Sequence, residues 1–336
     1  MKEEGLKMKK ILVLVMAAIM VLTLAACGGQ GNEPAGEGGE ARDLRFVIVP
    51  KVVHEWFDAV TSGAEVQAAI LSDKLGVTVE IDFRAPATAD VGEQNRILEQ
   101  AAATMPDGIA LDPLDWDANR AIVEEIIEKG VPVIFFDSRV PGSGIFAIGA
   151  DHATQARMNA EKMVELLGPE GGQVAIQHGV VTAANHSVRY QTLLDTFAEH
   201  PQIEVIEAPP GEDDIAISQT GAAAVIAANP DLRGFMNVDA AAPVGQALAV
   251  EEAGRAGEII IVGAENMVQI YEFIESGTII GGYSVPAVMF GELLVTMLFH
   301  MQQTGSGTIP VEIDTGLTWI DQYNVQTFIE IAEALD

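Results

Sequence analysis

Cysteine and basic residues are the two scarce residue types in this chain. A single cysteine among 336 residues cannot form an internal disulfide, and it excludes a cysteine-rich zinc site. Lysine and arginine number 18 against 49 aspartates and glutamates, which gives a net charge of −31. Nucleic-acid binding depends on neutralising phosphates, so we expect no DNA or RNA partner for a chain this acidic. The length suits two lobes of ordinary domain size.

An apolar run long enough to span a bilayer is also missing from the N-terminus. The run at 11–24 has 14 residues, whereas a spanning helix needs roughly 20. It follows a lysine-rich start, as in a secretory signal. The segment Leu24-Ala-Ala-Cys-Gly28 resembles a bacterial lipoprotein box, in which the thiol of Cys27 accepts a lipid. We therefore predict a lipoprotein signal peptide over residues 1–26, starting at Met1 or Met8; the alternative is a plain signal peptide with an unmodified cysteine.

Residues 27–43 are rich in glycine and show no apolar periodicity. Such a composition predicts a flexible tether ahead of the folded body. A diacylated Cys27 carries two acyl chains, which is enough for stable membrane anchoring. We thus expect the protein outside the cytoplasm, held by lipid to the outer face of the cell membrane.

The motifs of several enzyme classes are absent. The chain has no Gly-x-Ser-x-Gly elbow, no His-Glu-x-x-His helix, no Walker loop and no Gly-x-Gly-x-x-Gly after a strand. Its six histidines show no metal-ligand spacing. We predict a protein that binds a ligand without catalysing a reaction, and that uses no metal and no cofactor.

From Leu44 onward, short β-branched runs alternate with stretches of helical spacing, which is typical of parallel α/β architecture. Predicted strands are Leu44–Val49, Val77–Phe83, Gly108–Leu111, Val131–Phe136, Ile145–Ile148, Val174–His178, Glu204–Ala208, Gly234–Val238, Glu258–Val262 and Ile279–Ser284. Predicted helices are Trp56–Leu75, Asn95–Ala103, Ala118–Lys129, Ala153–Leu167, Ser187–Glu199, Ser218–Ala228, Pro243–Ala253, Val268–Ser276 and Val285–Gln303. Each series of five strands suits one sheet, so the fold predicted is α/β with two Rossmann-like, doubly wound parallel-sheet lobes.

Polar residues follow the strands of both series. In open parallel sheets, ligands bind beyond the carboxyl ends of the strands. Lys51 and Asp137 follow strands of the first series, and Asp239 and Glu265 follow strands of the second. This arrangement predicts a cleft lined from two sides.

The order of several segments resembles type I periplasmic solute-binding proteins of ABC importers, in the ribose and autoinducer-2 branch. These segments are Phe46-Val-Ile-Val-Pro-Lys51 with Trp56-Phe57, Val133-Ile-Phe-Phe-Asp137-Ser138, Thr182–Arg189, Asn237-Val-Asp239-Ala-Ala, Ile261-Val-Gly263 and Tyr283-Ser-Val-Pro286. The resemblance implies two lobes joined by a three-segment hinge, with crossovers near Ala147–Gly149, Ser284–Pro286 and Gly307–Val311. It implies a first lobe of 44–148 plus 286–309 and a second of 149–285 plus 310–336. It also implies a small sugar-like ligand, an ABC permease as partner and a monomeric protein.

The same resemblance assigns roles in the cleft. Trp56 and Phe57 match the aromatic pair that packs on the sugar ring, and Asp137 and Asp239 match aspartates that accept hydrogen bonds from hydroxyls. Lys51 is typical of the autoinducer-2 binders. The complete set of predicted ligand-binding residues is Lys51, His54, Trp56, Phe57, Asp137, Ser138, Asn185, His186, Arg189, Asp239, Glu265 and Ser284.

Three other functions remain open at this stage. Autoinducer-2 is an alternative ligand, although Asn185 and His186 stand where its binders carry Asp-Gln. A protein of this kind can also present its ligand to a chemoreceptor or a histidine kinase. The remote alternative is an extracytoplasmic carbohydrate enzyme in which Asp137 and Asp239 act as an acid–base pair.

Overall fold

Two six-stranded sheets organise the residues that the structure describes, which are 42–263, 265–305 and 310–335 of a computed structural model. The predicted signal peptide, Cys27 and most of the predicted tether lie outside these residues. Within them, no helix is both long and apolar enough to cross a membrane.

The elements alternate along the chain as the sequence pattern predicts. The first series is β1 (Leu44–Val49), α1 (Glu55–Leu75), β2 (Val79–Phe83), α2 (Val91–Ala103), β3 (Gly108–Leu111), α3 (Trp116–Glu128), β4 (Val133–Phe136) and β5 (Ala147–Gly149). The second is α4 (His152–Leu167), β6 (Gly172–Gln177), α5 (Ala184–Ala198), β7 (Ile203–Ala208), α6 (Ile215–Ala228), β8 (Leu232–Asn237), α7 (Ala241–Glu252), β9 (Ile260–Val262), α8 (Val268–Ser276) and β10 (Gly281–Ser284). The chain ends with α9 (Ala287–Thr304), β11 (Glu312–Asp314), β12 (Thr318–Asp321) and α10 (Val325–Leu335).

The strand orders of the two sheets correspond. The first sheet runs β11-β5-β4-β3-β1-β2 and the second β12-β10-β9-β8-β6-β7. Neighbouring strands are parallel throughout, except that β12 pairs antiparallel with β10. Both sheets are therefore doubly wound, and in each the order reverses beside the first strand of its series, where the ligand cleft of such a sheet forms.

The chain passes between the two sheets three times. It crosses at 150–151 and 285–286, close to the predicted positions, and again at 315–317. The prediction of a third crossover at 307–311, with everything from 310 in the second lobe, needs correction, because Glu312 and Asp314 pair with β5 in the first sheet. A three-residue strand with two acidic, exposed side chains carries no apolar pattern by which the sequence could reveal it.

The core of the first lobe depends on close packing of α9 against α1. A Cβ atom on Gly63 would lie 2.0 Å from the carbonyl oxygen of Val288, and one on Gly291 would lie 1.9 Å from that of Val60. Only glycine permits this approach between the two backbones. As a result α9 returns to the first lobe and supports α1, the helix whose first turn lies at the cleft.

Candidate ligand-binding cleft

The carboxyl ends of the two sheets enclose one small cavity of about 20 Å³. Its walls come from both lobes and consist of Lys51, His54, Trp56, Phe57, Asp137, His186, Arg189, Asp213, Asp239, Ala240, Glu265 and Val285. Nine of the twelve predicted ligand-binding residues are in this set. A cavity of this size has room for about one water molecule, so side chains of the two lobes contact one another directly.

Two aromatic side chains form the apolar wall. The ring of His54 caps α1, since its Nδ1 accepts a hydrogen bond of 3.2 Å from the backbone N–H of Trp56. Trp56 and Phe57 follow in the first turn, both buried, with ring centroids 5.0 Å apart and planes nearly perpendicular. The Nε1 of Trp56 has no hydrogen-bond partner among the described residues. This wall offers apolar faces with one free donor at its edge.

On the first-lobe side of the cleft, one lysine is paired with two carboxylates. Lys51, Asp112 and Asp137 follow the neighbouring strands β1, β3 and β4, and the Nζ of Lys51 lies 3.0 Å from Asp112 Oδ2 and 3.2 Å from Asp137 Oδ2. Burial alone would lower the pKa of Lys51, but the two carboxylates raise it, so the lysine stays charged. Burial raises the pKa of Asp112 to about 7 in spite of Lys51.

Asp137 connects the first lobe to two helices of the second. Its φ of 55° is in the left-handed region, which turns the chain sharply after β4. The Nε2 of His152 lies 2.8 Å from its carbonyl oxygen and 3.3 Å from Oδ1, while Asn185 Nδ2 donates to Oδ2. Burial would raise the pKa of Asp137, but Lys51 and His152 outweigh it and hold this pKa well below its usual range.

Asp213 receives two histidines, one from each lobe. The Nδ1 of His186 accepts from the backbone N–H of Val180 at 3.0 Å, as Nδ1 of His54 does from Trp56. Each ring therefore presents Nε2 to Asp213, at 3.5 Å for His54 and 4.0 Å for His186. Burial would raise the pKa of Asp213, yet the histidines, chiefly His54, hold it below its usual range.

Asp239 has a single hydrogen bond. Its Oδ1 accepts from the backbone N–H of Ala242 in the first turn of α7, at 2.7 Å. Its Oδ2 is buried and has no partner within the described part of the chain. Burial, and then repulsion from Asp213, raise the pKa of Asp239 to about 7.

Arg189 and Glu265 form the remaining charged pair. The Nη2 of Arg189 lies 3.6 Å from Glu265 Oε1, and its Nε donates to Gln155 Oε1 at 2.7 Å. Gln155 in turn donates to Glu265 at 3.2 Å. Burial raises the pKa of Glu265 to about 7 although Arg189 opposes the shift.

Ser138, Asn185 and Ser284 are predicted site residues that do not line the cavity. The hydroxyl of Ser138 donates to Asn185 Oδ1 at 3.0 Å, which joins the two lobes. Ser284 lies at the second crossover, where Asn266 Nδ2 donates to its hydroxyl at 2.6 Å. Ser138 and Asn185 therefore connect the two lobes, and Ser284 stabilises the hinge.

The periplasmic binding protein domain family matches residues 45–306 of the chain. The chain belongs to the periplasmic binding protein family. It is 24% identical to the D-ribose/D-allose-binding protein of Pseudomonas aeruginosa, over 92% of this chain and 99% of that one. It is 23% identical to the D-allose-binding periplasmic protein of Escherichia coli K12, over 80% and 87% of the two chains.

Solved structures agree with this family. A solute-binding protein of an ABC transporter from Burkholderia graminis, in complex with D-arabinose, is 26% identical and superposes with a TM-score of 0.78, covering 86% of this chain and 99% of that one. A sugar-binding protein of a sugar ABC transporter from Bacillus halodurans is 28% identical with a TM-score of 0.72, over 85% and 99%. The predicted family and the predicted two-lobed α/β fold are thus confirmed. These relatives are binding proteins of transporters rather than enzymes.

The cleft of this periplasmic binding protein includes residues that the sequence reasoning missed. Asp112 directly follows β3, so the strand-end rule that selected Lys51 and Asp137 applied to it equally. Asp213 lies in a turn of left-handed backbone, at a φ of 57°, which no periodic pattern reveals. His152 and Gln155 are on α4 just after the first crossover, and only the hinge geometry brings them to Asp137 and Arg189.

Proposed function

We propose that this protein is the extracytoplasmic, lipid-anchored binding component of an ABC importer. It captures a small sugar, or a similar polyhydroxylated molecule, between its lobes and delivers it to the permease. The observation that carries the proposal is that nine of the predicted ligand-binding residues, from both lobes, line one cavity. The names of the relatives, which bind D-ribose and D-allose, support the same class of ligand.

The chemistry of the walls suits a sugar. Trp56 and Phe57 offer apolar faces to the C–H surface of a ring. Asp239 Oδ2 has no hydrogen-bond partner among the described residues, and Asp137 Oδ1 has only the imidazole of His152, 3.3 Å away. A carboxylate only accepts hydrogen bonds, so both oxygens suit hydroxyl donors. Because the cavity of about 20 Å³ is too small for a sugar, the lobes must separate to admit one, and a ligand contacts the groups of both lobes only when they close around it. Binding therefore shifts the population toward the closed form.

A calorimetric and thermal-shift screen of pentoses, hexoses and polyols tests the proposal. A ligand that binds the folded state stabilises it by RT ln(1 + [L]/Kd), so at least one sugar should raise Tm. The Asp137→Ala variant should then bind that sugar more weakly by about 1.5–3 kcal/mol, because a buried acceptor is lost. If no pentose, hexose or polyol raises Tm, the proposal is contradicted.

Anchoring through Cys27 is a separate part of the proposal. The cysteine is outside the described residues, and the argument for it is the lipoprotein box and the glycine-rich segment behind it. The Cys27→Ser variant should appear in the medium with unchanged ligand affinity. Its retention on membranes, in the same fractionation as the parent protein, would count against lipid anchoring.

Autoinducer-2 is retained as a second candidate ligand because Lys51, the residue that suggested it, lines the cavity. The screen should include it beside the sugars. Its binding to the parent protein, with no sugar bound, would replace uptake of a sugar by recognition of a signal.

A further inference from the structure

The walls of the cleft contain more carboxyl groups than lysine and arginine side chains. Four carboxylates line the cavity, those of Asp137, Asp213, Asp239 and Glu265. The cationic side chains in that lining are Lys51 and Arg189. Lys51 is also shared with the carboxyl group of Asp112, 3.0 Å away, which the lining does not include.

Both cations are already engaged. Lys51 lies between Asp112 and Asp137, and Arg189 is bound by Gln155 and the carbonyl oxygen of Val238 while it pairs with Glu265. No lysine or arginine described in the structure forms an ion pair with Asp213 or Asp239. Asp213 receives only imidazole Nε2 groups, and Asp239 receives one backbone N–H.

A second pocket, of about 570 Å³, adjoins this region. It lies between the lobes and shares His54 and Asp213 with the inner cavity. Glu212 and Asp214 also line it, and its described lining contains no lysine or arginine. Besides the imidazole of His54, the ionisable groups of its described lining are carboxyl groups, and such a surface favours cations.

We infer that the ligand is an amino sugar or a similar polyol with a protonated amine, whose ammonium group lies beside Asp239 and Asp213. The inference rests on the proposed function and narrows its ligand class. An ammonium group has three donors and no acceptor, whereas a carboxylate only accepts, so the two complement each other in hydrogen bonding as well as in charge. A neutral sugar satisfies the oxygens but leaves the charges unbalanced, and a sugar acid adds to them.

The state of Asp239 supports this placement. Its Oδ2 is buried without a partner, and burial together with Asp213 raises the pKa of the carboxyl to about 7. Repulsion from Asp213, which no lysine or arginine described in the structure pairs with, makes the ionisation of Asp239 costly, and an ammonium group between the two carboxylates lowers that cost. The charge that the fold leaves uncompensated is thus compensated by the ligand.

Matched ligand pairs test the inference by calorimetry at neutral pH. The pairs are D-glucosamine with D-glucose, D-galactosamine with D-galactose, and D-allosamine with D-allose, each with the N-acetyl derivative as an uncharged control of the same skeleton. One charged hydrogen bond in a buried site corresponds to a factor of roughly ten or more. We expect at least one amino sugar to bind more tightly than its parent and its N-acetyl form by that factor, and D-glucuronate not to bind.

The Asp239→Asn variant separates charge from shape. Asparagine keeps an acceptor oxygen but not the charge, so the ratio of amine to parent affinity should fall by roughly tenfold. Asp231→Asn is the matched control: this exposed residue precedes β8, at the end of the sheet away from the cleft, and the ratio should not change.

The outcomes keep this inference apart from the proposed function. Neutral sugars that bind as tightly as their amines overturn the inference and leave sugar binding intact. The same holds if the ratio is unchanged in Asp239→Asn. If no neutral sugar, amino sugar or polyol binds, both fail.

Discussion

The two lobes share a strand order but differ in how they treat charge. In the first lobe, Lys51 lies between Asp112 and Asp137, so buried carboxylates are held by a buried cation. In the second, Asp213 and Asp239 face histidines and backbone N–H groups instead. One aspartate of each lobe shows the difference: Lys51 and His152 hold the pKa of Asp137 well below its usual range, while burial and Asp213 raise that of Asp239 to about 7. The contrast does not extend to every aspartate, since burial raises the pKa of Asp112 to about 7 and the histidines hold that of Asp213 below its usual range.

The fold therefore determines where polar side chains meet. The residue types at the strand ends determine whether the buried charges and hydrogen-bonding groups find partners. The first-lobe wall supplies its own cation for its carboxylates, although the Nε1 of Trp56 has no partner among the described residues. In the second-lobe wall, Asp239 Oδ2 has no partner among these residues and no lysine or arginine pairs with the carboxylate, so a ligand changes the electrostatics most on this side.

The largest loss of stability is expected when the buried cation of the first lobe is removed. Lys51→Met leaves Asp112 and Asp137 buried without a cation, which should destabilise the protein by about 3–5 kcal/mol. Chemical denaturation measures this. Lys129→Met, at an exposed lysine paired with Glu125, should cost well under 1 kcal/mol. Equal effects of the two changes would mean that the first-lobe cluster is not held by its lysine.

The Asp239→Asn change should instead stabilise the protein. The pKa of Asp239 rises from 3.8 to about 7 on folding, so the wild-type protein loses stability as pH rises through that interval. The variant should be more stable than wild type by about 1–3 kcal/mol at about pH 8, and by little at about pH 4. Unfolding curves of the ligand-free proteins at both pH values measure this. A constant difference across the range, or a loss at high pH, would contradict an unsatisfied second-lobe wall.

The link between the lobes can be weakened at Asn185. Asn185→Ala removes the donor to Asp137 Oδ2 and the acceptor for Ser138, at a cost of about 1–3 kcal/mol. Small-angle scattering should show a larger radius of gyration, since these bonds join the lobes. Ser187→Ala, on the same helix, removes only a bond within the second lobe, to Val181, and should leave the radius unchanged. An unaltered radius in Asn185→Ala would show that other contacts keep the lobes together.

The smallest effect on stability is expected at Arg139. This residue tests whether β11 belongs to the first lobe. Its guanidinium lies 3.3 Å from Glu312 and 3.7 Å from Asp314, two half-exposed partners on β11. Arg139→Gln should change global stability by less than about 1 kcal/mol. Hydrogen exchange at 312–314 should nevertheless become faster, while exchange at 318–321 should not. Faster exchange at 318–321 alone would contradict the assignment of β11 to the first lobe.

Much of the fold and most of the cleft could be predicted from the sequence, for identifiable reasons. The bounds of β1, β3 and α8 agree with the prediction because apolar periodicity is strong there. Lys51, Asp137 and Asp239 were found because strand ends in parallel sheets meet at one edge. The segment from residue 310 onward could not be divided between the lobes, since β11 and β12 have only three and four residues, too few to show a periodic pattern. Asp213 was missed because tertiary contacts, not a local pattern, bring its turn to the histidines.

The pairing of β11 with β5 has a consequence for the order in which the chain folds. Ala147 pairs with Glu312, and α9 packs against α1, so the first lobe requires segments from near both ends of the chain. The second sheet, by contrast, draws five of its six strands from the continuous stretch 172–284. Such local contacts form sooner than distant ones. The first lobe therefore stays incomplete until residues 287–314 are present, whereas five strands of the second sheet can assemble from one continuous segment and wait only for β12.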